Sequence, residues 1–104
     1  MTRLLPLITS TLLIASQAIA DVDASRQDEL VYLLKQDCGS CHGMTLKGGL
    51  GPSLLPDALV GKPTALLVAT ILDGRPDTAM PPWKAMLTAD EATWLVNRLR
   101  QGVH

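Results

Sequence analysis

The feature that most constrains this chain is the run Cys38-Gly39-Ser40-Cys41-His42, which has the spacing C-x-x-C-H. Two thiols three positions apart lie on one helical turn, where each can add to one vinyl group of the same haem, and the adjacent imidazole can then bind the iron. The run therefore predicts a c-type haem attachment site, in which Cys38 and Cys41 form thioethers and His42 is an axial ligand.

Two other chemistries use a Cys-x-x-Cys pair. A structural zinc site takes about four protein ligands, and beyond this run the chain offers only His104 and carboxylates. A redox-active dithiol is expected near a βαβ pattern, whereas residues 26–36 have helical spacing. Haem attachment is the preferred interpretation, and disulfide or dithiol chemistry remains the alternative.

Three helices are predicted from periodicity and capping. The first starts near Ser25 and delivers Cys38 at its end, and the second covers residues 64–72 after a proline in its first turn. The third begins at the T-x-x-E capping box Thr88-Ala89-Asp90-Glu91 and runs to Gly102. The apolar residues of these helices are expected to be mostly core.

The stretch 43–56 contains four glycines and two prolines and is predicted to be a loop. Glycine lets a backbone approach a flat ligand closely. A carbonyl near Pro52 can accept the Nδ1 proton of His42, which would fix the tautomer of the imidazole. An ordinary surface loop is the alternative.

A second stiff loop, residues 75–83, is built around Met80. Pro81 restricts Met80 to an extended backbone, so the loop can present a weak thioether ligand at little ordering cost. We expect Met80 to be the distal haem ligand, with Met86 or an open or histidine-ligated site as alternatives. Arginine is the side chain best suited to hold a carboxylate, so Arg75 is a candidate contact for a haem propionate. A solvated arginine is the alternative there.

Residues 1–20 are typical of a secretory signal peptide, with a cationic start at Arg3, an apolar stretch and a small-residue exit that ends at Ala20. An uncleaved membrane anchor is disfavoured because Pro6 and several polar residues interrupt a stretch already short for a membrane span. We expect cleavage after Ala20, which leaves a single domain of residues 21–104 without a membrane anchor.

The charge balance excludes some partners. The chain has 9 Lys plus Arg against 10 Asp plus Glu, and loss of Arg3 leaves 8 against 10. Such a domain has no basic face for nucleic acid or an anionic membrane. Arg98 and Arg100 are expected to be solvated and to complement the dipole of the last helix. A domain this small usually needs a staple, which covalent haem would provide.

These features, in this order, resemble a class I cytochrome c across the mature chain. That family is all-α, with its terminal helices crossing and haem held between His and Met. The resemblance implies a small fold of three to four helices around one covalently attached haem c. Cys38 and Cys41 would be the thioether anchors, His42 and Met80 the axial ligands, and Pro52 the backbone support of His42.

The chain departs from that family at the helix crossing. The family often has a glycine eight residues before the first cysteine and an aromatic residue four before it. Here those positions are Leu30 and Leu34, so a crossing as close as the family's is not expected at Leu30.

Three segments resemble, more specifically, those of the NirC-type monohaem cytochromes. These cytochromes are associated with the periplasmic haem-d₁ nitrite reductase of denitrifying bacteria. The segments are Asp37-Cys38-Gly39-Ser40-Cys41-His42-Gly43-Met44, Gly48-Gly49-Leu50-Gly51-Pro52, and Gly74-Arg75-Pro76 with Thr78-Ala79-Met80-Pro81-Pro82-Trp83. The resemblance implies a monomeric periplasmic carrier of single electrons, not an enzyme. Its partners would be a dissimilatory nitrite reductase and, during maturation, the c-type haem attachment machinery.

Two other functions compete with this one. The first is an accessory factor in maturation or activation of the haem-d₁ nitrite reductase, as the same resemblance allows. The second is a ligand-binding haem protein with an open distal site. Binding of carbon monoxide or cyanide distinguishes an open site from one in which both axial positions are filled.

Overall fold

All regular secondary structure in residues 2–13 and 22–103, which the computed structural model describes, is helical. The first helical run consists of α1 (Ala24–Leu33), a π-helical segment (Leu34–Cys38) and α2 (Gly39–His42), and three separate helices follow: α3 (Pro56–Leu59), α4 (Thr64–Asp73) and α5 (Ala89–Gln101). The predicted all-α fold of three to four helices is confirmed. The expected cleavage site after Ala20 and the terminal His104 lie outside the described residues.

None of the helices in these two ranges is both long enough and apolar enough to cross a membrane. The longest of them is α5, with 13 residues. A membrane-spanning helix needs about 20 predominantly apolar residues.

The first helical run begins earlier and ends later than predicted. Its N-cap is Asp23, whose carboxylate accepts the backbone N–H of Arg26 at 2.9 Å, so Ser25 lies inside the first turn. The run also continues past Cys38 through a wide turn in which Gly39 N–H donates to Leu34 O. A carboxylate is a strong N-cap acceptor, and an i→i+5 turn of this kind has no simple sequence signal.

The capping box of α5 has the predicted form. Glu91 N–H donates to Thr88 Oγ1 at 3.1 Å, and Thr88 N–H donates back to Glu91 Oε1 at 2.9 Å. These bonds satisfy two backbone donors that a helix start would otherwise leave unpaired. The helix ends at Gly102, which has the positive φ of 88° that favours glycine.

The core is made mainly of leucines from the first helical run and α5. Leu30 and Leu34 are 0 % and 1 % exposed, and Leu95 of α5 is 1 % exposed. Full burial of such a side chain contributes about 1.5–3 kcal/mol. Leu30 and Leu34, the two positions at which the chain departs from the family, are thus core side chains. In α5, the small residue Ala92 is also fully buried.

Arg100 is not a solvated end of α5, contrary to expectation. Its guanidinium donates to the carbonyl oxygens of Leu59 at 3.0 Å and Lys62 at 2.6 Å, and to Thr64 Oγ1 at 3.3 Å. These acceptors lie at the end of α3, in the turn that follows it and at the start of α4. Arg98, by contrast, bonds Gly102 O at the end of its own helix. Arg100 therefore ties α5 to the turn that precedes α4.

We predict that Arg100→Met lowers the free energy of unfolding by about 1–3 kcal/mol, because two backbone carbonyls and a hydroxyl lose a charged donor. Urea denaturation of the mature protein followed by far-ultraviolet circular dichroism measures the change. Arg98→Met is the matched control and should cost less, since its bond stays within one helix end. Equal losses in both variants would show that the contacts of Arg100 with the α3–α4 turn add nothing.

Candidate haem site

The two cysteines lie in the last turns of the first helical run. Both are free thiols and partly buried. Burial, and then the neighbouring Asp37 carboxylate, raises the pKa of the Cys38 thiol to about 11, so Cys38 is protonated at neutral pH. A thiol that stays protonated is a poor nucleophile for dithiol redox chemistry. No group of three His, Cys, Asp or Glu within the described ranges is arranged to hold a metal ion.

The imidazole of His42 is fixed by the backbone of the loop that follows it. His42 Nδ1 lies 2.7 Å from the carbonyl oxygen of Pro52. A carbonyl can only accept, so Nδ1 carries the proton and donates it to this bond. In the neutral ring, Nε2 is then the nitrogen with a free lone pair. That nitrogen is the one available to a metal.

The same loop is also bonded to the end of α2. Gly48 N–H donates to His42 O and Gly51 N–H donates to Cys41 O, both at 2.8 Å. A Cβ on Gly51 would lie 2.8 Å from Nδ1 of the His42 ring. Only glycine lets the loop approach the imidazole this closely. The ring is therefore held by Pro52 on its polar edge and by Gly51 against its side.

The methionine loop, residues 75–83, packs directly on the end of α4. Arg75 N–H donates to Met80 O at 3.1 Å, and Thr78 Oγ1 accepts the N–H of Met80 at 3.3 Å. Gly74 ends the helix with a φ of 68°, and a Cβ there would lie 2.7 Å from Met80 O. The backbone around Met80 is thus fixed by hydrogen bonds and by close contact with Gly74.

The loop returns to α4 after its two prolines. Trp83 N–H donates to Ile71 O at 3.0 Å, and Lys84 N–H donates to Leu72 O at 3.2 Å. These bonds satisfy carbonyls in the last turn of α4, which have no partner within the helix. Both ends of the methionine loop are therefore attached to the same helix, although no sequence motif marks this.

The two candidate methionine ligands differ in their surroundings. Met80 is partly buried, whereas the side chain of Met86 is 57 % exposed. The carbonyl oxygen of Met86 accepts a hydrogen bond from the Arg26 guanidinium at 3.1 Å. Sequence reasoning missed Arg26, whose local signal was Glu29 three positions further on, because its other partners, Glu91 and Met86, are distant in the sequence.

Helix α4 supplies an apolar wall next to this loop. None of its residues is fully buried, although five of the ten are large aliphatics; these are Leu66, Leu67, Val68, Ile71 and Leu72. Leu66 is 56 % exposed, while Leu67, Ile71 and Leu72 are partly buried and pack against the core. Three of the five residues expected to be mostly core thus pack against it, although none is fully buried. Their remaining surface suits a flat apolar ligand.

Arg75 contributes its backbone to the methionine loop, through its bonds with Met80 and Thr78. Its side chain is exposed, and within the described ranges its guanidinium has no hydrogen bond or ion pair. The site thus contains two thiols on one helical run, an imidazole with Nε2 available, a partly buried thioether and the aliphatic side chains of α4. This set of donors and lining fits a haem.

Comparison with known proteins agrees with this fit. A family model described as cytochrome c oxidase, cbb3-type, subunit III matches residues 25–97. Cytochrome c55X of Pseudomonas aeruginosa is 62 % identical over 80 residues, which cover 77 % of this chain and 67 % of that protein.

Solved structures give the same result. One titled c-type cytochrome NirC has a TM-score of 0.76 and 62 % identity, and the match covers 77 % of this chain and 94 % of that one. Another, titled dihydro-heme d1 dehydrogenase NirN in complex with DHE, has a TM-score of 0.63 and 39 % identity, over 69 % of this chain but only 16 % of that longer chain.

The relatives that match over most of their length are named as cytochromes, so the prediction that the chain is not an enzyme is confirmed. The family also implies haem binding. Because a single family model and a solved structure each match most of its length, the chain belongs to the c-type cytochromes, in the group that includes cytochrome c55X and NirC.

Proposed function

We propose that this chain is a monomeric periplasmic cytochrome that binds one covalently attached haem c and carries single electrons to a dissimilatory nitrite reductase. The observation that carries the proposal is the 2.7 Å contact between His42 Nδ1 and Pro52 O, because it leaves Nε2 available next to the two cysteines. When bound, the haem supplies an iron that changes between the ferrous and ferric states.

In this proposal Cys38 and Cys41 are the thioether anchors and His42 is the proximal ligand. Pro52 accepts the Nδ1 proton and so fixes the tautomer and strengthens Nε2 as a donor. The glycine-rich backbone that is bonded to the carbonyls of Cys41 and His42 keeps the ring from rotating away. The loop thus fixes the tautomer and the orientation of the His42 ring without any bond to iron.

Met80 is proposed as the distal ligand. Its backbone is fixed on α4 from both sides of the loop, which lowers the ordering cost of presenting a weak thioether donor. If His42 and Met80 both hold the haem iron, they would leave no open position for a substrate. This favours an electron carrier over a ligand-binding haem protein, and thioether ligation raises the potential.

The partner and the compartment rest on other observations. The likeness to NirC and cytochrome c55X, together with the three matching segments, supports a place beside the nitrite reductase system. The signal-like residues 1–20 support export to the periplasm and maturation by the c-type haem attachment machinery there.

A second candidate function is a role in making haem d₁. The likeness to part of a chain titled dihydro-heme d1 dehydrogenase NirN favours it. A dehydrogenase removes electrons from its substrate, and a cytochrome-like domain within it can accept them one at a time. In this alternative the chain takes electrons during maturation or activation of the reductase instead of delivering them for turnover.

The attachment proposal predicts the outcome of three substitutions. Cys41→Ala should leave haem that is held by one thioether at most, and His42→Ala should abolish stable holoprotein, because each removes one of the proposed bonds. Intact-protein mass spectrometry and acid-acetone extraction measure the linkage. Ser40→Ala lies between the cysteines and should be loaded normally. Doubly linked haem at normal yield in Cys41→Ala would contradict the proposal.

The distal proposal predicts that Met80→Ala keeps the haem but loses the weak near-infrared-edge band of sulfur bound to ferric iron. The potential should fall by about 59 mV or more, which is a tenfold shift toward ferric protein, because a thioether favours the ferrous state. Absorption spectra and redox titration measure both effects. Met86→Ala should change neither, and the reverse result would identify Met86 as the ligand.

The same titration tests Arg75, whose proposed role is to contact a haem propionate. Arg75→Gln should lower the potential more than Arg98→Gln, since removal of a nearby positive charge stabilises ferric haem. Arg98 is the appropriate control, because Arg100 supports the start of α4. Equal small shifts that fade with added salt would mean that Arg75 is only a surface charge.

The proposed function is tested in a strain that lacks this chain. We expect nitrite reduction by the cells to fall severalfold, while the purified reductase carries full haem d₁ and normal activity with an artificial electron donor. The wild-type gene should restore nitrite reduction and the Met80→Ala gene should not. A reductase that lacks haem d₁ in this strain would instead support the maturation role and overturn the carrier proposal.

A further inference from the structure

Arg26, in the first turn of α1, bonds a neighbour in its own helix and two other parts of the fold. Its Nε donates to a carboxylate oxygen of Glu91 in α5, and its Nη1 donates to Glu29 Oε2 at 2.7 Å. Its Nη2 donates to the carbonyl oxygen of Met86 at 3.1 Å. A planar guanidinium is suited to such a fork of bonds in fixed directions.

Glu91 gives this guanidinium its orientation. One carboxylate oxygen accepts from Arg26 and the other accepts the backbone N–H of Thr88 at 2.9 Å. The hydrogen bond with Arg26, and then that with Thr88, lowers the pKa of the Glu91 carboxyl, so Glu91 is ionised at neutral pH. The side chains of Arg26 and Glu91 are only 32 % and 15 % exposed, which limits screening by water.

Met86 lies in the turn that follows the methionine loop. The N–H groups of Met86 and Leu87 both donate to Trp83 O, at 2.9 and 3.0 Å. Trp83 in turn donates to Ile71 O of α4. This turn, residues 83–87, is therefore attached to α4 at its beginning and to Arg26 near its end.

The bond from Arg26 joins the two halves of the proposed haem site. α1 is continuous with the helical run that ends at His42. The methionine loop starts at the end of α4, and Trp83 and Lys84 at its far end donate to carbonyls of α4, so these contacts fix Met80 relative to α4 but not relative to α1. The Arg26–Met86 bond supplies a link between the segment after Met80 and the helix that leads to His42.

We propose that Arg26 is a positioning residue for Met80. By holding the Met86 carbonyl against α1 and α5, it keeps the methionine loop at the distance from His42 at which the thioether stays on the iron. The inference rests on the proposed function, in which Met80 is the distal ligand. It gives Met86 a separate role, since its carbonyl is an anchor point and its thioether is not a ligand.

The test uses the mature holoprotein with Arg26→Gln. We expect carbon monoxide to bind the ferrous variant about tenfold more tightly than wild type, because loss of one charged hydrogen bond makes opening of the distal side easier by about that factor. The near-infrared-edge sulfur band of the ferric variant should also disappear at a lower temperature than the helical circular dichroism. A merely structural role would lower both temperatures together.

Two further variants keep the test decisive. Glu29→Gln removes only the exposed partner of Arg26 and should bind carbon monoxide like wild type. Arg26→Lys keeps a positive charge for Glu91 but lacks the fork that reaches Met86, so it should fold and still bind carbon monoxide more tightly. If Arg26→Lys binds carbon monoxide like wild type, or Glu29→Gln matches Arg26→Gln, the proposal is wrong.

A double-mutant cycle separates this inference from its premise. If Met80→Ala retains the sulfur band, Met80 is not the ligand, and the proposed function and this inference both fail. If Met80→Ala loses the band, adding Arg26→Gln to it should leave carbon monoxide binding unchanged, because no Met80 bond remains to be positioned. A further increase in the double variant would show that Arg26 acts by another route and would overturn the inference alone.

Discussion

The hydrogen bond between His42 Nδ1 and the Pro52 carbonyl is the interaction on which the rest of the site depends. It decides the tautomer, and the tautomer decides which nitrogen is available. The ring held in this way also requires the glycine at position 51, since a side chain there would collide with it. The C-x-x-C-H run therefore needs its loop as much as its helix.

Helix α4 supports the methionine loop in the way that the glycine-rich loop supports His42. Its last turn accepts hydrogen bonds from Trp83 and Lys84, and Gly74 allows the Met80 backbone to lie against its end. Its first turn is held by Arg100 from α5. A helix that is fixed at both ends but fully buried nowhere can serve as a wall for an apolar ligand without being part of the core.

The sequence predicted the features that have local causes. The capping box at Thr88, the glycine and proline loops and the helical position of Cys38 all follow from residues within a few positions of each other. The partners of Arg26 and Arg100 could not be predicted in this way, because Met86 and Leu59 offer backbone carbonyls that are 60 and 41 positions distant. Every residue has such a carbonyl, so no side-chain pattern marks the one that is used.

The two sides of the site are held by bonds of very different strength. On the proposed proximal side, two thioethers and the support from Pro52 make the position of His42 insensitive to small movements of the fold. On the proposed distal side a single weak thioether would have to be kept in place by the loop itself, which is bonded to α4 through Trp83 and Lys84 and to Arg26 through Met86. Substitutions that change the potential without releasing haem should therefore concentrate on the distal side, including positions that touch no haem atom.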